Sequence, residues 1–252
     1  MDFDNIDTYI LDLDSTIWYW TKLIPGAKKV LKKLRRLKKK ILFVTNNTIE
    51  SRRGIADRLR KFGIEVSFNE VINAGIVIGY YIKERNGTAL ALNIGTEIDL
   101  RDAGVKVKEE PPVDFVVVTE DWDFDHEQLS LATDAVERGG KLLTSIMGRR
   151  WTVGNRMIPG VGCWVKAVEF AANTRAKCLG KPTSYMRKIV LRYLDNPKKS
   201  VFVGDEVKID IEFAKKIGCK TVFVETGTEK KMKGKVKADL ILNSIKDLLN
   251  YI

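Results

Sequence analysis

Short apolar runs alternate along this chain with amphipathic stretches, and that alternation restricts the fold more than any other feature. "TYILDLD", "ILFVTNN", "SVFVGD", "KTVFVET" and "ADLILN" are separated by segments whose apolar residues recur at helical spacing. A strand that is apolar on both faces has no side it can present to water. Such strands belong in a parallel sheet with helices packed above and below. The expected fold class is therefore α/β, with a doubly wound parallel-sheet core, and helices are expected at about residues 27–39, 51–62 and 126–138. Runs of this kind occur near both ends, so both ends belong to one core. Between them a second αβ set, with "TALALNIG", "FVVVTED", "KLLTSI" and the loop "MGRRWTVGNRMIPGVG", reads as an inserted smaller domain. The core is then 1–84 and 176–252, and the insert 85–175.

With 252 residues and 44% hydrophobic composition, the chain can bury a core and one smaller domain. No run of about 18 uncharged apolar residues appears, and the N-terminus opens with acids rather than the basic and apolar regions of a signal peptide. A soluble, cytoplasmic protein without a membrane partner is expected. The net charge of +11 is densest in "KKVLKKLRRLKKK", where Val30, Leu31, Leu34 and Leu37 share one helical face and the basic residues point outward. That is the pattern of a solvated helix, so no nucleic-acid partner is expected. Cys163, Cys178 and Cys219 lack CxxC spacing and are expected to be reduced, mostly buried thiols. His126 is the only histidine, which argues against multi-His metal sites and against triads unless His126 is the base. Catalysis then falls to carboxylates, Lys and hydroxyls.

Asp12 and Asp14 end a hydrophobic run, and side chains two apart on extended backbone share a face. Two carboxylates can thus converge at the carboxyl end of a strand, where open α/β sheets place their sites. Thr45 and Asn46 end another buried run with a hydroxyl and a backbone N–H able to hold phosphate oxygens. "CLGKP" offers Lys181 on a rigid loop. "SVFVGDEVKID" offers Asp205 and Asp210, with Gly204 allowing close backbone approach and Asp205 also readable as a helix N-cap. Several acids with one Lys and one hydroxyl need a cation to offset repulsion, and Mg²⁺ suits an oxygen shell shared with phosphate.

The order "DLDST", "VTNNT", "GKP", "VGDEVKID" resembles the haloacid dehalogenase (HAD) superfamily, mostly phosphatases with a doubly wound core and an inserted cap. "IPGAKKVLKKLRRLKKKILFVTNNTIESRRGIADRLRKFGIEV" and "VVVTEDWDFDHEQLSLATDAV" are similar to its p-nitrophenyl-phosphatase-like branch, with a class IIA α/β cap. The resemblance implies a Mg²⁺-dependent phosphomonoester hydrolase acting on small phosphorylated metabolites. It implies that Asp12 attacks phosphorus to form an aspartyl phosphate and that Asp14 serves as acid and then base, a role that at neutral pH needs nearby negative charge or burial around its carboxyl. Mg²⁺ would be held by Asp12, the main-chain carbonyl of Asp14 and Asp205, supported by Asp210. Thr45, Lys181 and the N–H groups of Leu13 and Asn46 would bind the phosphoryl oxygens. Caps of this kind often mediate dimers, so a homodimer is allowed. Two alternatives stay open: a phosphotransferase or phosphomutase on the same core, and a non-catalytic anion-binding protein.

The chain departs from the family pattern in two places. Ser15 stands where the family usually has Gly, and Ser there is expected to restrict the turn that aims Asp14. The cap's substrate loop, often similar to "TNxDxxxP", reads "TSIMGRRWTV" here. Its Arg149, Arg150, Trp151 and Arg156 either reach an anionic or ring-bearing leaving group or form an exposed basic loop. "PGVG" at 159–162 either presents N–H groups to substrate or only starts a helix. "DWDFD" lacks the Gly and Glu of a calcium loop, and Asp125 with Gln128 reads as a helix cap. "GTEKKMKGK" reads as a basic surface loop.

Overall fold

A computed structural model describes residues 3, 5–153, 156–227, 232 and 236–252. Contacts divide the chain into two compact units, one of Met1–Thr45, Ala56–Ile72 and Lys181–Ile252, the other of Asn46–Ile55 and Asn73–Gly180. The contact boundary at Asn73 falls ahead of residue 85 because helix Ala74–Lys83 packs on helix Ile94–Asp102.

In the first unit six strands form one sheet in the order Leu240–Leu242, Lys220–Val224, Ser200–Gly204, Thr8–Leu11, Lys40–Thr45, Val71–Asn73. The first five run parallel. Every residue of Thr8–Leu11 and Ser200–Gly204 is buried, as the doubly apolar runs require. The chain winds outward in one direction from Thr8–Leu11 and in the other from Ser200–Gly204. The winding therefore reverses between these two neighbours, where Thr8 pairs with Ser200 and Leu11 with Val203. At such a reversal the flanking loops part and leave a crevice outside the carboxyl ends of the strands.

The basic helix spans Ala27–Arg36 and buries Ala27, Val30, Leu31 and Leu34. It ends sooner than its pattern suggests, and Leu37 is 47% exposed. The Lys39 N–H reaches the Leu34 carbonyl across a left-handed Lys38 (φ 55°), which closes the helix and turns the chain into the next strand. Leu37 thus lies past the apolar face it was expected to complete.

The second unit has a five-stranded parallel sheet in the order Lys177–Cys178, Lys141–Thr144, Phe115–Val117, Thr88–Ala91, Lys106–Val107. Val116, Val118 and Leu142 pack with Val165 and Val168 of helix Val161–Ala171 and with Ala132 and Ala135 of helix His126–Glu137. The latter helix opens with the expected cap, since Asp125 Oδ1 accepts from Gln128 N and Gln128 Oε1 accepts from Asp125 N. All three cysteines are free, but only Cys219 is buried and Cys163 is exposed, because it lies on the outer side of its helix start. No helix among the described residues is long and apolar enough to cross a membrane.

Asp99, fully buried, ties three segments of this unit together. Its Oδ1 accepts from the Arg52 backbone N–H (2.8 Å) and its Oδ2 from Asn73 Nδ2 (2.6 Å). Asn73 Oδ1 in turn caps helix Ala74–Lys83 at Ile76 N. Burial lifts the Asp99 carboxyl to about 7, with Asp102 adding to the lift, against the pull of the Asn73 and Arg52 contacts. The folded state therefore holds this proton more tightly than the unfolded chain. The stability it contributes is complete below the ordinary value of 3.8 and is lost as pH rises through about 7. Urea unfolding at pH 5 and pH 8 should show a fall in stability with rising pH that is smaller in Asp99→Asn. Equal falls in the two proteins would remove Asp99 from this account.

Candidate active site

Asp12 leaves the strand Thr8–Leu11 with its N–H on the Val203 carbonyl (2.9 Å), so the sheet itself fixes its height. Its carboxylate meets Lys181, whose Nζ lies 2.6 Å from Asp12 Oδ1 and 2.7 Å from Asp210 Oδ1. Lys181 is 1% exposed, with its ammonium 5.4 Å from the centre of the Phe202 ring. Asp205, also buried, accepts a long hydrogen bond from Thr16 Oγ1 (3.4 Å). Asp12, Asp205 and Asp210 each place a carboxylate oxygen within 4.8 Å of the others. Residues far apart in the chain thus converge where the winding reverses.

Asp205 and Asp210 come from a single strand end. Beyond Ser200–Gly204 the chain makes a wide π-helical turn, Val207–Ile211, before helix Glu212–Ile217. The carboxylate satisfying the free N–H groups at this turn belongs to Asp210, whose Oδ2 accepts from Asp205 N and Glu206 N, both at 3.2 Å. The reading of Asp205 as an N-cap is corrected accordingly, which leaves its carboxylate free for the acidic cluster. Gly204 is needed for this arrangement, because a Cβ there would lie 2.5 Å from the Asp210 carboxyl. Gly227 does the same for Asp205, whose carboxylate occupies the space a Cβ on Gly227 would need.

Three buried carboxylates share one ammonium. Burial would lower the Lys181 ammonium, but Asp12 and Asp210 outweigh it and hold the group above its ordinary value. Burial raises Asp12 to about 8; Lys181 pulls it down, and Asp210 and Asp14 push it up. Asp205 is raised well above its ordinary value, by burial first and then by Asp12, Asp210 and Glu206. With all four groups charged, the cluster lacks two positive charges, and its donors are hard oxygens. A divalent, oxygen-seeking cation fits both the charge and the donor set.

The other residues singled out in the sequence are placed as follows. Asp14 is exposed rather than buried, and its Oδ1 accepts from Trp18 Nε1 (2.8 Å). The Leu13 side chain is buried, and its carbonyl accepts from the N–H groups of Thr16, Ile17 and Trp18. Thr45, 1% exposed, ends the strand next to that of Asp12. Asn46 follows and by its contacts belongs to the second unit, where its Oδ1 fills the space a Cβ on Gly180 would need.

Arg149, Arg150 and Arg156 are exposed in the second unit, the last two on the hairpin Arg150–Val153 and Arg156–Pro159. Trp151 donates Nε1 to the Pro159 carbonyl (3.2 Å) and packs on Trp122 with ring centres 5.1 Å apart. At "PGVG", Gly160 N and Gly162 N donate to the Arg149 and Gly148 carbonyls, so these N–H groups are spent on the hairpin and helix start rather than offered to a substrate. The "GTEKKMKGK" loop lies mostly outside the described residues.

Three contributors were not foreseen. Trp18 holds Asp14, Thr226 donates its hydroxyl to the Ser15 carbonyl (2.5 Å), and Tyr19 donates to the Thr226 carbonyl (2.7 Å). Trp18 and Tyr19 follow the first motif directly, but no local signal links Thr226 to it. The close approaches around Gly204 generate a test. Gly204→Ala should displace Asp210, lower the catalytic rate by roughly tenfold or more and destabilise the fold by about 1–3 kcal/mol. A thermal melt and a rate both within error of the parent would refute the close-contact argument.

Residues 9–106 match a family model described as haloacid dehalogenase-like hydrolase, and residues 178–248 match a second HAD-hydrolase-like model. An acid sugar phosphatase of Staphylococcus epidermidis is 30% identical over 87% of this chain and 86% of its own length. The glycerol-3-phosphate phosphatase of Homo sapiens is 28% identical over 97% of this chain and 90% of its own. The structure of a p-nitrophenyl phosphatase from Archaeoglobus fulgidus superposes with a TM-score of 0.85 at 28% identity, covering 98% of this chain and 99% of that one. The parallel sheet, the acidic cluster and these likenesses agree, and the chain belongs to the haloacid dehalogenase-like hydrolases as a phosphatase of that family.

Proposed function

We propose that this chain hydrolyses small phosphate monoesters, p-nitrophenyl phosphate among them, through a phosphorylated Asp12. The observation that carries this reading is the buried pairing of Asp12 with Lys181, beside Asp205 and Asp210 at the reversal of the sheet. The names of the relatives support the substrate class: a sugar phosphatase, a glycerol-3-phosphate phosphatase and a p-nitrophenyl phosphatase.

Mg²⁺ is assigned to Asp12, Asp205 and the Asp14 carbonyl with Asp210 in support, and when bound it would offset the carboxylate charge and draw charge from a phosphoryl oxygen. Lys181 keeps Asp12 in place and supplies a positive charge to the oxygens of the transferring group. An Asp12 carboxylate oxygen forms a bond to phosphorus as the bond to the leaving oxygen breaks, and Asp14 gives that oxygen its proton. Water then attacks the phosphoryl group while Asp14 takes its proton back, and release of phosphate restores the Asp12 carboxylate. Thr45 and the N–H groups of Leu13 and Asn46 are the remaining candidates for phosphate oxygens. The insert, residues 85–175, is assigned the choice of leaving group, with Arg149 and Arg150 as its candidates for an anionic one.

Asp12→Asn should abolish hydrolysis of p-nitrophenyl phosphate to below about one part in a thousand while keeping the circular dichroism spectrum. Chelation should stop the parent enzyme and added Mg²⁺ should restore it. Acid quench of a turning-over sample should trap a hydroxylamine-sensitive phosphoenzyme, absent in Asp12→Asn. A variant that retained most of the rate would eliminate the covalent route.

A further inference from the structure

Ser15 adopts a φ of 63°, the left-handed region that a side chain makes costly and that glycine enters freely. The chain keeps the turn nonetheless, and the contacts around Ser15 show how. The Ser15 N–H donates to the Trp18 carbonyl (2.8 Å), closing the loop on one side. On the other side the Thr226 hydroxyl donates to the Ser15 carbonyl at 2.5 Å. Thr226 is itself gripped, since the Tyr19 hydroxyl donates to its carbonyl at 2.7 Å. Trp18, buried to 0% exposure between the Arg58 guanidinium (4.4 Å from its ring centre) and the tilted ring of Phe62, passes this rigidity to Asp14 through its indole N–H. Asp14 stands exposed, and this turn and this hydrogen bond both bear on its direction.

We propose that Thr226 is a positioning residue for the reaction: its hydroxyl clamps the Ser15 carbonyl, holds the left-handed turn that a serine would otherwise leave, and so keeps Asp14 aimed through Trp18. This rests on the acid–base role assigned to Asp14. Thr226 acts from the far end of the chain, two residues beyond the strand Lys220–Val224 and next to Gly227, which crosses close to Asp205. One loop therefore braces both the Asp14 turn and the Asp205 carboxylate. The side chain at residue 15 is what makes the clamp necessary. A glycine in its place would hold the turn without help.

The test is a cycle of Thr226→Val and Ser15→Gly, assayed on an alkyl phosphate such as glycerol phosphate, whose alkoxide leaving group needs the Asp14 proton. Thr226→Val should lower kcat roughly tenfold with KM moved less than about twofold, since phosphate binding is untouched. In the Ser15→Gly background the same change should cost about twofold or less, the glycine relieving the need for the hydroxyl. Thr226→Ser, which keeps the hydroxyl, should retain most of the rate. Urea unfolding should show the same coupling, with Thr226→Val less destabilising in the Ser15→Gly background. An equal cost in both backgrounds, or a Thr226→Ser variant as slow as Thr226→Val, would overturn the clamp. Asp14→Asn, measured alongside, separates the two claims. If it keeps the rate, the acid–base reading is wrong; if it loses the rate while the cycle shows no coupling, the clamp alone is wrong.

Discussion

The ammonium of Lys181, buried between Asp12 and Asp210, is the interaction on which the rest of the site depends. A charge taken out of water survives only when paired and hydrogen-bonded, and removal of either partner leaves the other stranded. Here the pairing joins the carboxyl end of the first strand to the turn that follows Ser200–Gly204. It orients the nucleophile candidate and anchors the residue that shapes the neighbouring turn. The cluster remains short of positive charge, because Asp205 is buried beside it, and that shortfall, with its hard oxygen donors, suits it to a divalent cation.

Backbone proximity does as much here as charge. Asp210 folds back over Gly204 and caps the N–H groups of Asp205 and Glu206, which frees the Asp205 carboxylate to face Asp12. Gly227 then lies against Asp205 from a third loop. Two positions without a Cβ thus set the spacing of the carboxylates, and the wide turn Val207–Ile211 brings Asp210 around to meet Lys181. Wide helical turns of this kind are uncommon and cluster at functional sites, where they re-aim a side chain at some cost in regularity.

Much of this was legible in the residues. The doubly apolar runs led to the parallel sheet, and the motif order led to Asp12, Lys181, Asp205 and Asp210 as one group, which the structure gathers within a few ångströms. Where local reading erred, a neighbour had changed the outcome. Leu37 kept the helical spacing but fell beyond the closure at Lys38. Asp205 sat where a cap belongs, yet Asp210 took the cap. At Gly160 and Gly162 the sequence left two readings open, and the Arg149 and Gly148 carbonyls, by accepting from these N–H groups, favour the plain helix start.

The sequence by itself determined the layer architecture and the chemical types in the site, because hydrophobic period and residue identity are local properties that no tertiary contact needs to supply. Set beside the family it resembles, it also marked Ser15 as a departure. Only the tertiary structure decided how that departure is accommodated and where Asp14 points. The Thr226 hydroxyl, the Tyr19 hydroxyl and the Trp18 indole meet around one turn from opposite ends of the chain. Contacts between residues so far apart depend on how the sheet winds, and no spacing along the chain encodes them.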